Sequence, residues 1–476
     1  MSFLSDAKLI LNLLNKYRQE SRTAKKPVIT QNPLKKIIAD LKLDSYIRNG
    51  GLSDEHLRVF VQYYLSTTTR LHHPAYMAHQ VATPHYAGAL GALIDSFTNN
   101  PMAIYEMGPG AASIEYAVIN WLLDKVGWQQ APLNVQSPEI QEPWAGGVLM
   151  HGGSLANLTA LIAARKKIVP DVWKKGNPDD LAILAPAECH YSISRAAGIL
   201  GIGQDAIYQL EVDARGAVRP DRLPAAYERV KQDSKRLFAL VANACGTAVG
   251  VYDPLQEIGE FCNQNKIWMH VDGAHGASAL LSEKLRDRLR GVAQADSLTW
   301  DAHKLLQTPV LCAALLVRNH TNLDTAFEQE ASYLFHDKAQ PGFDFIHRTI
   351  ECTKAGLGLK MFLVLAALGE QKLAEYLERQ FDLTVEAYQY INSKKDFTCP
   401  VKPESNILCF RINGSDELQL KIRKSLTAQG DFFISTTTFK GQRYLRIVLM
   451  NPHTRIEEIQ SLIETITMLR QTTCKP

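Results

Sequence analysis

Between residues 146 and 319 the chain alternates short apolar runs, rich in β-formers, with longer segments of helical periodicity. The runs fall at 147–150, 181–184, 237–242, 267–271 and 312–317, with helix-like stretches such as 155–168 and 254–263 between them. Strands separated by a helix-length segment pair through crossovers, and such crossovers lay helices over both faces of a mainly parallel sheet. The fold class expected is therefore α/β. The flanks read differently. From 6 to about 128 apolar residues recur at helical spacing, as in Leu9, Leu13, Leu14 and Tyr17 after a cap expected at Asp6. Loops are expected at Asn99-Asn100-Pro101 and Gly108-Pro109-Gly110. Beyond a helix at 355–381 come strand-like runs at 407–412, 432–437 and 444–449, then an amphipathic helix at 456–469. At 476 residues the chain exceeds what one core usually supports. Three segments are expected: a helical one at 1–128, a large domain at 129–354 and a small α+β domain at 355–476.

Composition narrows the function classes. A formal charge of +3, with basic pairs scattered at 35–36, 166–167, 174–175 and 394–395, gives no one-sided basic face for nucleic acid. No apolar run reaches the length of a membrane span, and the N-terminus lacks a signal-peptide layout. The eight cysteines show no CxxC, and Cys245, Cys312 and Cys409 lie in apolar runs as small buried hydrophobes do. A soluble, reduced, cytoplasmic protein is expected, with no metal, membrane or nucleic-acid partner.

Four segments carry polar groups where strands are expected to end. Met150-His-Gly-Gly153-Ser154-Leu places two glycines and a serine between a strand and the first turn of a helix. Free N–H groups and the helix dipole make such a turn an anion site, although Gly-rich strand-to-helix turns are common. In Ala187-Glu-Cys-His190-Tyr-Ser a histidine follows a buried strand; it suits stacking on a flat ring, or a plain core position. Asp272 closes the apolar run Ile267-Trp-Met-His-Val. A carboxylate there needs a partner, either a cationic ring nitrogen or a structural ion pair. Finally, Ser297-Leu-Thr-Trp-Asp-Ala-His303-Lys304 puts a lysine where a sheet meets a cofactor pocket; a surface lysine is the ordinary reading of any single Lys. Ligands of such sheets bind beyond the carboxyl ends of the strands, so the four together are far more specific than any one.

The chain resembles the group II pyridoxal-5′-phosphate (PLP) decarboxylases, which act on glutamate, aspartate, cysteine sulfinate, 2,4-diaminobutyrate or aromatic amino acids. The resemblance runs over roughly residues 60–455. It is carried by His73-Pro-Ala-Tyr-Met-Ala-His79, Gly108-Pro-Gly with Glu115, the Gly-Gly-Ser turn and Cys189-His190-Tyr-Ser. It continues in Asn243-Ala-Cys-Gly-Thr247, Tyr252-Asp-Pro, Val271-Asp272, Trp300-Asp-Ala-His-Lys304, Tyr333-Leu-Phe335 and Leu445-Arg446-Ile-Val-Leu-Met-Asn-Pro452. It implies PLP fold type I, with a seven-stranded, mostly parallel sheet in the large domain, a small C-terminal α+β domain and a homodimer. It also implies roles. Lys304 forms the Schiff base with PLP, Asp272 keeps the pyridine nitrogen protonated, and His190 stacks on the ring. Gly153, Ser154 and His303 hold the phosphate, and Thr247 lies near the ring substituents. Arg446 matches a carboxylate-binding arginine and His79 a side-chain-reading position; an ion pair and a core histidine are their plainer readings. The implied substrate is an L-amino acid with an acidic side chain, ahead of 2,4-diaminobutyrate.

The chain departs from the family in two places. Between His336 and Arg348 it has Phe343 and Phe345 but no tyrosine, where relatives often carry a proton-donating one. This raises an aldehyde-forming synthase or other C–C lyase as the alternative to an amine-forming decarboxylase. The Val-Asp-Gly-Ala-His275 segment carries Gly and His where many relatives have Ala and an aromatic.

Overall fold

The computed structural model describes residues 2–133, 143–327 and 342–473. They form two compact units, one of Pro84–Arg379 and one of Met1–Thr83 together with Gln380–Pro476. These boundaries differ from cuts at 128 and 354. Segments far apart in sequence share one unit through pairings such as Val28 N to Gly430 O at 2.8 Å and Met77 N to Phe433 O at 3.0 Å. No composition shift along the chain announces such pairings.

The 84–379 unit is α/β, as its alternating runs predict. Its strands are β1 (Gly146–Met150), β2 (Leu181–Pro186), β3 (Ile207–Leu210), β4 (Arg236–Asn243), β5 (Trp268–Asp272), β6 (Ser297–Asp301) and β7 (Ala313–Val317). They form one sheet in the order β1-β7-β6-β5-β4-β2-β3. β7 runs antiparallel to both its neighbours, and the remaining pairs are parallel, so six of the seven strands point the same way. Their carboxyl ends therefore share one edge.

Two strands are not apolar runs: β3, which is unexpected, and β6, which is expected only from the segment that ends at His303-Lys304. β3 is a short edge strand with only Leu210 buried, and β6 alternates Ser297, Thr299 and Asp301 with Leu298 and Trp300. The polar residues of β6 are all buried, so a strand that looks half-exposed in sequence lies inside the sheet. Against the sheet packs the helix Gly153–Ile168, buried continuously from Ala156 to Arg165. A helix buried on every side over that stretch belongs in a core, which explains why it follows β1 into a crossover rather than along the surface.

The other unit carries β8 (Phe397–Thr398), β9 (Ile407–Ile412), β10 (Ser435–Phe439) and β11 (Gln442–Val448) as an antiparallel sheet in the order β10-β11-β9-β8. Its core joins Leu408, Phe410, Leu445 and Ile447 to Ile459, Leu462 and Ile466 of the helix Ile456–Thr473. The first helix spans Phe3–Arg22 and begins three residues before the cap expected at Asp6. Ser2 caps it instead, in a reciprocal capping box with Ser5 that satisfies two end groups at once.

Candidate active site

At the carboxyl edge of the large sheet lies a cavity of about 250 Å³. Its walls come from the ends of β1, β2, β4, β5 and β6. They include Gly153, Ser154, His190, Thr247, Asp272, His303 and Lys304, the seven residues expected around a cofactor.

After β1 the chain turns at Gly152, whose φ of +104° and ψ of 158° suit only glycine. The turn feeds the helix Gly153–Ile168, whose first N–H groups donate to no capping side chain, since the cap is Gly152. A Cβ on Gly153 would sit 2.8 Å from a carboxylate oxygen of Asp301. Glycine is thus required for the helix start to approach the end of β6. The result is an uncapped helix N-terminus opening on the cavity, the chemistry that suits a phosphate.

Lys304 Nζ lies 3.1 Å from Asp301 Oδ2, and His303 Nε2 lies 3.6 Å from the same oxygen. Asp301 Oδ1 is buried with no hydrogen-bond partner among the described residues. His303 is fixed from behind, its Nδ1 2.8 Å from the Cys312 carbonyl. Across the cavity Asp272 accepts hydrogen bonds from Asn157 Nδ2 at 2.9 Å and from the Ala274 N–H at 3.2 Å. His190 is anchored by Ser192, whose Oγ is 2.8 Å from Nδ1, and burial pushes its imidazole below the usual value. A helix N-terminus for an anionic tail, a buried carboxylate for a cationic ring and an amine for an aldehyde form one donor set. That set fits PLP.

Asn157, Asp301, Cys245 and His275 are among the wall residues that the sequence reading gives no role. Asn157 interrupts a mainly apolar helix run, a mark that a merely tolerated polar residue would also leave.

Arg446 and His79 belong to the other unit. Arg446 is buried on β11, its guanidinium 3.1 Å from Gln80 Oε1 and 3.5 Å from Ser435 Oγ. His79 precedes Gln80 and is exposed, its ring edge-on to Phe433 with centroids 5.6 Å apart. It is not the core histidine of the plainer reading. Tyr333-Leu-Phe335 and residues 336–341 lie outside the described residues. Phe343 and Phe345 pack edge-to-face at 4.9 Å, with Phe345 in the core, so these two rings serve packing.

Comparison with known proteins supplies the context. Residues 54–413 match the pyridoxal-dependent decarboxylase conserved domain. The chain is 29% identical over 448 residues to acidic amino acid decarboxylase GADL1 of Mus musculus, covering 90% of this chain and 79% of that protein. It is 30% identical over 380 residues to the cysteine sulfinic acid decarboxylase of Rattus norvegicus, covering 79% and 73%. The crystal structure of mouse CSAD superposes with a TM-score of 0.88 over 98% of both chains at 24% identity, a likeness of fold.

Proposed function

The chain belongs to the pyridoxal-dependent decarboxylase family and is a PLP-dependent amino-acid decarboxylase; on that premise we propose that it removes the α-carboxyl group of an L-amino acid with a short acidic side chain, using the cavity at the carboxyl edge of the large sheet. The convergence of Lys304, Asp272 and the Gly153–Ser154 helix start on that one cavity carries the reading.

PLP, when bound, supplies the electron sink for the bond to the departing carboxyl group. The chain's own residues do the rest. The N–H groups at Gly153 and Ser154, with His303, hold the phosphate, and Asp272 keeps a proton on the ring nitrogen. Lys304, held in the cavity by Asp301, would carry the cofactor covalently. His190 would cover one face of its ring. Arg446, whose planar fork Gln80 and Ser435 keep from rotating, has the chemistry for a substrate carboxylate. His79 is the candidate for reading the side chain.

The working state is a homodimer, and one helix supports this. In Tyr86–Thr98 the residues Tyr86, Leu90, Leu93, Ile94 and Phe97 fall on a single face at helical spacing, and all are exposed. An apolar stripe of that kind normally lies against a partner. A cytoplasmic location accords with the seven free cysteines among the described residues. Among the same residues no helix is long and apolar enough to cross a membrane.

The test is a screen of L-amino acids for CO2 release, with the organic product identified. Aspartate, glutamate or cysteine sulfinate should give the highest kcat/KM and an amine product. A best substrate that is aromatic or cationic would refute the acidic reading. Aldehyde with ammonia would favour the synthase alternative raised by the loop without a tyrosine.

A further inference from the structure

Beneath the cavity runs a buried polar chain with Asn157 at its centre. Asn157 is 1% exposed on the helix Gly153–Ile168. Its Nδ2 lies 2.9 Å from Asp272 Oδ2 and 2.9 Å from Ser192 Oγ. Its Oδ1 lies 2.7 Å from Thr299 Oγ1 and 3.0 Å from His270 Nε2.

The direction of every hydrogen bond in this chain can be solved. A carboxylate only accepts, so the amide must turn its NH2 toward Asp272. Oδ1 then accepts, and both the Thr299 hydroxyl and the His270 Nε2–H donate to it. His270 Nδ1 is left as an acceptor for the Ser297 hydroxyl at 2.8 Å. The Ser297 oxygen in turn accepts from Trp268 Nε1–H at 2.8 Å, a group that can only donate. In the other direction the second amide hydrogen goes to Ser192 Oγ. Ser192 then donates its hydroxyl hydrogen to His190 Nδ1 at 2.8 Å, and its N–H reaches the same nitrogen at 3.2 Å. A neutral His190 therefore carries its proton on Nε2. Burial favours neutral rings at both histidines, pushing His270 down to about 4.

We infer that Asn157 is the positioning residue of this site: Thr299 and His270 lock its amide from beneath, so that it aims the Asp272 carboxylate and sets the Ser192–His190 hydrogen bond together. This rests on the proposed reading of the cavity as the cofactor site. Asn157 acts through its neighbours, and the lock gives a conservative rescue to test, because any side chain that donates at position 299 should hold the amide.

The experiment measures the dissociation constant of PLP from the cofactor-free protein by equilibrium dialysis. Asn157→Leu, equal in heavy-atom count but without polar atoms, should raise it by about tenfold or more, the scale of one lost hydrogen bond to a charged group. Thr299→Val should raise it in the same direction, and Thr299→Ser, which keeps the hydroxyl, should stay near wild type. Added to Asn157→Leu, Thr299→Val should have little further effect. A folded Asn157→Leu protein with wild-type affinity would overturn the inference, as would Thr299→Ser behaving like Thr299→Val. If Asn157→Leu does not fold, the Thr299 pair decides the question alone. Lys304→Ala is measured alongside. Unchanged affinity there would defeat the reading of the cavity; weakened affinity there beside an intact Asn157→Leu would defeat only the role of Asn157.

Discussion

Replacing Lys354 with Met would leave a carboxylate stranded in the core of the large unit. Lys354 Nζ and Glu115 Oε2 are 2.6 Å apart, and both side chains are fully buried. Glu115 Oε1 also accepts the Leu149 N–H of β1 at 2.8 Å, three residues before the Gly-Gly-Ser turn. Breaking a buried pair by removing one partner typically costs about 3–5 kcal/mol, since the remaining charge keeps its desolvation penalty. In a unit of this size that corresponds to a fall in Tm of roughly 1–2 °C per kcal/mol. Burial already pushes the Glu115 carboxyl above its usual value despite Lys354. Without the lysine it rises further, and the folded state then binds a proton that the unfolded state releases. The sign follows: stability of the variant falls as pH rises above the usual carboxylate value, by up to about 1.4 kcal/mol per pH unit. Adding Glu115→Gln removes the charge and keeps an acceptor for Leu149. The double variant should therefore recover much of the loss and lose the pH slope. The assay is favourable, because all six tryptophans lie within 84–379, so their fluorescence reports on this unit. Cofactor-free protein avoids stabilisation by ligand. A loss under about 1 kcal/mol in Lys354→Met, or a double variant as unstable as the sum of its parts, would refute the reasoning.

Further outcomes can be checked separately. Asp272→Ala should leave the fold intact and lower kcat by on the order of a hundredfold or more; near wild-type turnover would exclude its role on the ring nitrogen. Arg446→Lys keeps the charge but loses the fork, so steady-state kinetics should show a raised KM or lowered kcat with an unchanged melting curve. His270, held neutral at about 4 against 6.5 when unfolded, takes up a proton on unfolding in acid. Stability should therefore fall by about 2 kcal/mol between pH 7 and pH 5, and His270→Gln should remove that share of the slope in tryptophan-monitored melts.

The parts of this fold that are legible in sequence are those where burial and polarity coincide. β1, β2, β4, β5 and β7 are buried along their whole length or nearly so, and each reads as an apolar run. β6 does not, because Ser297 and Thr299 face the polar chain under Asp272 and Asp301 faces the cavity. The residues that line the cavity at strand ends are legible for the converse reason: a charged or glycine-rich break in an apolar run has few structural excuses. Asn157 and His270 interrupt apolar runs from within, where a single sequence cannot separate a tolerated polar residue from a connected one. The division into units was beyond reach, since it rests on pairings such as Val28 with Gly430 across 400 residues.

The polar chain also explains how a carboxylate can end a strand with every residue buried. Leaving such a group without donors costs several kcal/mol, yet filling its shell with protein donors would leave no place for a cationic ring. Among the described residues the Asp272 side chain accepts from two partners, Asn157 Nδ2 and the Ala274 N–H. Asn157 in turn makes all four of its amide hydrogen bonds within the fold, so no guest is needed to orient it. The arrangement beneath the cavity is thus complete when the sheet and the helix Gly153–Ile168 have packed. Its cost is met once, on folding, and a carboxylate aimed in advance meets its ligand without reorganisation, which is where electrostatic contacts are worth most.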